Sequence, residues 1–125
     1  MPGLNDKLTP WELGHRNLLI ENGIKSCKIL LENLLKEQKF NVNISLCRGS
    51  LEGFEECKQI DELHTYETML QELYNEETKE IELYLSNKKE DVNPKKIEQV
   101  WEIKGKRAQI EFVYKHIKAL RVLYN

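Results

Sequence analysis

The chain has 125 residues, 19 Lys plus Arg against 21 Asp plus Glu, and a formal net charge of −2. A hydrophobic content of 40% supplies one core, and a charged content of 32% exceeds the roughly 25% of an average soluble domain. Six Gly and three Pro are too few for the many turns of an all-β fold; a collagen-like chain, a disulfide scaffold and a flexible linker are excluded as well.

No stretch approaches the roughly 18 apolar residues of a membrane span. The nearest, 18–35, is interrupted by Glu21, Lys25, Lys28 and Glu32, so no membrane association is expected. The opening Met1-Pro2-Gly3-Leu4 lacks the basic and then apolar pattern of a secretory signal. Cys27, Cys47 and Cys57 are odd in number and lack Cys-x-x-Cys spacing. That predicts reduced thiols in a cytoplasmic setting.

The first helix is expected over 10–38. Thr9-Pro10-Trp11-Glu12 supplies an N-cap, a proline at the first helical position and a glutamate that closes a capping box. Leu13, Ile20, Ile24, Cys27, Leu31 and Leu34 then fall on one stripe, which Leu30 and Leu35 widen. Gly14 and Gly23 weaken the helix without breaking the stripe.

From Phe40 to Cys47 apolar and polar residues alternate with period two. Three readings are open for 40–47: an irregular connection laid on the bundle, a strand paired with another chain, or helix. Arg48-Gly49-Ser50 reads as a break, with Ser50 as an N-cap.

A second helix is expected over 51–88. Ile60, Leu63, Leu70, Tyr74 and Ile81 share a face, flanked by Tyr66, Leu73 and Tyr84, and no Pro or Gly lies between Phe54 and Asn93. Asn93-Pro94 opens a third helix over 94–124. Ile103, Ile110, Val113, Ile117, Leu120 and Tyr124 form one face of it. Trp101, Ala108, Phe112, Ala119 and Leu123 form a second apolar strip. Gly105 predicts a kink or a close helix approach.

Charge is sorted along the chain. Residues 1–50 carry seven basic and five acidic side chains, 51–93 four and thirteen, and 94–125 eight and three. The middle helix is acidic and the last basic, which favours an antiparallel hairpin between them. The expected fold is all-α: an elongated three-helix bundle, in which a helical hairpin is joined by a long N-terminal helix, with 40–47 as a candidate extended segment.

Chemistry is sparse. Glu12-x-x-His15, and Cys57, Asp61 and His64 at helical spacing, have the residue types of a metal site. One Glu-x-x-His and three helices fall short of a di-iron bundle, so no metal and no cofactor are expected. There is no nucleophile elbow, phosphate loop or dinucleotide fingerprint. Cys27 lies in an apolar stripe and reads as core. The chain is therefore expected to be non-enzymatic.

Two surfaces remain. Trp101, Phe112, Tyr114, Tyr124, Phe40, Val42 and Ile44 are candidate anchors for a protein partner or a homo-oligomer, because aromatic side chains dominate interface energetics. Lys96, Lys104, Arg107, Lys115, Lys118 and Arg121 project into one basic stripe, a candidate nucleic-acid surface interrupted by Glu111. The first expectation is a protein–protein interaction module, serving as adaptor, assembly subunit or regulatory inhibitor. Nucleic-acid binding is the alternative, and a metal-dependent bundle enzyme comes third.

Overall fold

The computed structural model describes residues 6–37, 39, 41–86 and 94–124. They form an all-α bundle of four helices: α1 (Pro10–Lys36), α2 (Val42–Cys57), α3 (Leu63–Ser86) and α4 (Pro94–Tyr124). The sequence led us to expect three. The difference lies between residues 41 and 63.

α1 begins as its cap dictates. The Thr9 hydroxyl accepts from the Glu12 N–H at 3.1 Å, and the Thr9 N–H donates to Glu12 Oε1 at 2.9 Å. Glu12 serves a second purpose. Arg121, in the last turn of α4, donates to both of its carboxylate oxygens at 2.6 and 3.1 Å. The hydrogen bond from Arg121, helped by that from the Thr9 backbone and opposed by burial, holds the Glu12 carboxyl below its ordinary value of 4.5. A carboxyl depressed in the folded state contributes stability that is complete above its unfolded pKa and is lost as pH falls through the folded one. Urea midpoints should therefore drop as pH falls below about 4.5. Glu12→Gln should flatten that acid limb; an unchanged limb in the variant would refute the assignment.

The stripe on α1 turns inward. Ile20 and Leu34 are buried, and Leu13, Ile24, Cys27 and Leu31 are half-buried. Leu30 and Leu35 are exposed instead of widening the stripe.

Of the three readings open for 40–47, helix is the one found over the described residues, and α2 runs unbroken through the break expected at Arg48-Gly49-Ser50. Asn41 is in an extended conformation and caps the helix by accepting from the Asn43 N–H at 2.9 Å. The residues that α2 turns inward include Ser45, Gly49, Ser50 and Gly53. This contact face is small rather than apolar, so a search for hydrophobic periodicity passes over it. It lies against α4 at Gly105. A Cβ on Gly49 would stand 1.9 Å from the Glu102 carbonyl oxygen, and one on Gly105 would stand 2.2 Å from that of Leu46. Gly49 meets Glu102 and Gly53 meets Lys106, so α2 and α4 run in the same direction with their backbones in contact. Gly105 marks a close approach within an unbroken helix.

The expected 51–88 helix is divided at Lys58–Glu62. No local breaker is needed, because distant side chains hold the turn. Arg16, only 4% exposed, donates to the carbonyls of Lys58 and Ile60 at the end of α2. The Tyr66 hydroxyl donates to the Cys57 carbonyl at 3.4 Å. On the other side Asp6 accepts from the His64 N–H at 2.8 Å and caps α3, while Leu8 donates to the Asp61 carbonyl. Lys7 and Glu62 pair there as an isolated antiparallel bridge. Helix ends leave backbone groups unpaired; here residues 6–16 satisfy them from outside the element.

α3 packs antiparallel to α4. Tyr66 lies beside Tyr114, Tyr74 beside Arg107, Glu77 beside Lys104 and Glu80 beside Lys96. The hairpin read from the charge pattern is therefore present. Ile110, Val113 and Ile117 of α4 are fully buried with Ile20, Cys57 and Tyr66. The residues 89–93 expected to connect the hairpin, and the expected helix ends at 38 and 88, lie outside the described residues. No helix among the described residues is long and apolar enough to cross a membrane.

Candidate interaction face

α4 has two apolar faces, and the bundle covers one. The face through Ile110, Val113 and Ile117 is core. The second strip borders the contact with α2, Phe112 lying two turns beyond Gly105: Ala108, Phe112, Ala119 and Leu123 are exposed, Phe112 by 45% and Leu123 by 72%. Val122 beside it is 83% exposed. At its N-terminal end the strip runs into an apolar groove between α3 and α4. This groove, of about 180 Å³, is lined by Ile81, Tyr84, Ile97, Val100 and Trp101. The sequence singled out Trp101 as an anchor but not Ile97 and Val100. Their i, i+4 and i, i+1 spacing to Trp101 was the available signal.

The other candidate anchors are dispersed. Tyr114 turns toward α3, its ring 6.0 Å from that of buried Tyr66. Tyr124 is exposed at the far end of α4 and packs edge-on against Trp11 at 5.3 Å. Val42 and Ile44 are half-buried in the first turn of α2. Phe40 lies outside the described residues. Among the described candidates, only Trp101 and Phe112 are thus brought onto one open surface.

The basic stripe of α4 is bound into ion pairs. Arg107 Nε reaches Glu77 Oε2 at 2.6 Å, and Lys104 reaches the other oxygen at 3.3 Å. Glu77 is nearly buried between them. Arg107 and Lys115 share Glu111 at 3.2 and 3.0 Å. Lys96 meets Glu80 at 3.5 Å, Arg121 meets Glu12 at 2.6 Å, and Lys118 lies over the Tyr114 ring. Lys96, Lys104 and Arg107 therefore face the acidic α3, Arg121 faces α1, and Lys115 and Lys118 are held within α4.

A polar channel of about 310 Å³ lies on the opposite side of the hairpin, where α4 is flanked by α2 and α3. Glu52, Glu76, Glu80 and Glu102 line it with Lys106, above Leu73 and Ile103. Lys106 bridges Glu52 at 3.3 Å and Glu56 at 2.7 Å. Among the described residues no group of three His, Cys, Asp or Glu is placed to hold a metal ion. Cys57, Asp61 and His64, which their spacing placed on one helical face, do not lie on one helix. Cys57 ends α2 and His64 lies in the first turn of α3. Glu12 is taken by Arg121, while His15 packs against Trp11 at 4.4 Å.

Burial disfavours the thiolate at all three cysteines. Cys27, Cys47 and Cys57 are unpaired. Burial pushes the Cys57 thiol up to about 12, and burial raises Cys27 and Cys47 as well. A nucleophilic cysteine needs the opposite shift.

No protein family, curated protein or solved structure matches the chain.

Proposed function

We propose that the protein is a non-enzymatic interaction module that binds another protein through the open side of the α3–α4 hairpin, as an adaptor, assembly subunit or regulator. One observation carries this reading. The second apolar strip of α4, from half-buried Trp101 and its groove through exposed Phe112 to Leu123, is left open by the helices of the described residues. Contiguous exposed apolar surface on a folded chain marks a contact site. The ion pairs of Lys104, Arg107 and Arg121 weigh against nucleic acid, since these cations are already committed to carboxylates. The three unpaired thiols suit a reducing, cytoplasmic setting.

The test is crosslinking capture from the native cell with the parent chain and an Ala108→Glu/Phe112→Glu variant. The two are first matched for helicity by circular dichroism. Both residues are exposed, so the fold should survive. The expected result is a defined set of chains retained by the parent and reduced at least about tenfold by the variant. Equal capture by both overturns the proposal.

A further inference from the structure

Building on that reading, we infer that the strip is a seat for an acidic amphipathic helix of the partner protein. Trp101, Ala108, Phe112, Ala119 and Leu123 recur at intervals of seven and four, the rhythm of a helix–helix seam. Large and small side chains alternate, so each alanine leaves a hollow between two bulky neighbours. That relief accepts the knobs of a second helix. From Trp101 to Leu123 the strip is about 33 Å long at 1.5 Å per residue, the length of a helix of about 20 residues.

Charge selects which helix. The rim of the strip toward α3 is a chain of contacts. Lys104 stands 5.5 Å over the Trp101 ring and bonds Glu77, Glu77 bonds Arg107, and Arg107 and Lys115 bond Glu111. With Lys118 this rim sets four cations against two carboxylates. Lys115 keeps 71% of its side chain in solvent. Lys104 and Arg107 are engaged by Glu77, so the positive charge presented outward is that of exposed Lys115 and Lys118. Carboxylates flanking an incoming apolar stripe would meet it, and lysines would be repelled. A second copy fits poorly. Laid antiparallel with Phe112 over Ala108, it would bring Lys104 of each copy against Lys115 of the other.

The test uses two fluorescent peptides of about 20 residues with the same leucine seam. One is flanked by glutamate, the other by lysine. A duplex DNA oligonucleotide serves as third probe. Anisotropy is read against the intact protein at low and moderate salt. The expected result is at least about tenfold tighter binding of the glutamate peptide, weakened by salt. Lys115→Glu/Lys118→Glu, at exposed positions, should remove that preference while circular dichroism stays unchanged. Equal or tighter binding of the lysine peptide or of DNA overturns the inference. So does a preference that survives the double reversal, or a stable dimer by light scattering that Phe112→Glu dissolves. If cell capture depends on Phe112 while the peptides show no preference, the interaction module stands and the acidic helix falls.

Discussion

Gly49→Ala is expected to lower stability by about 3 kcal/mol, the upper end for an overpacked contact. Taken alone, alanine should help a helix, since glycine in a helix interior costs about 0.5–1 kcal/mol relative to it. The sign reverses here because the added carbon would lie 1.9 Å from a backbone oxygen of α4. A side chain can swing aside, but the Glu102 carbonyl is fixed in its own helix. The two helices must move apart, and the buried residues around the contact lose their packing. Gly105→Ala should behave alike, because its Cβ would meet the Leu46 carbonyl at 2.2 Å. Gly14→Ala is the internal control. Nothing lies within 4 Å of its Cβ position, so the propensity gain should appear undiminished as a small stabilisation. Urea titrations followed by circular dichroism measure all three. Similar small effects at the three glycines would show that α2 and α4 are not in backbone contact.

Arg16→Ala is the second large expected loss, again about 3 kcal/mol. The guanidinium is buried and donates to the Lys58 and Ile60 carbonyls. Hydrogen bonds to a charged group contribute about 1.5–3 kcal/mol, and a buried acceptor left unpaired costs about 1–3 kcal/mol. The acceptors here are carbonyls just beyond the end of α2, where the helix dipole also favours a cation. Lysine is expected to recover only part of the loss, because its ammonium lacks the planar fork that reaches both oxygens. Amide exchange around 58–64 should quicken more than that of α4. Uniform acceleration across the bundle, or a loss below about 0.5 kcal/mol, would show that the turn does not depend on Arg16.

These two sites also mark where the sequence was silent. The start of α1 was legible because Thr9, Pro10 and Glu12 carry their signal within one turn. The hairpin of α3 and α4 was legible because opposite charges and two apolar faces lie on long uninterrupted segments. The turn at 58–62 was not. Its determinants, Asp6 and Arg16, are more than forty residues away and act on backbone groups that no residue pattern displays. The N-terminal half of α2 was left open between three readings, and the break expected at 48–50 was wrong, for a different reason. Glycine and serine serve both as turn formers and as spacers between close helices, and composition does not separate the roles. The same limit applies to the candidate face. Amphipathic projection finds two strips on α4, but both are apolar. The bundle buries the one that carries Ile110, Val113 and Ile117, in one cluster with Tyr66 and Cys57.

The shared direction of α2 and α4 bears on how the chain acquires its structure. Their contact joins residues about fifty apart, across the whole of α3. Such a contact repays nothing until the intervening chain has been ordered, which favours slow assembly. α2 is also poorly equipped to wait. It has sixteen residues, two interior glycines and a run of serine, asparagine and β-branched side chains. A segment of that length and makeup is marginal as an isolated helix in water. The same glycines that weaken α2 in isolation are what let it lie backbone to backbone against α4.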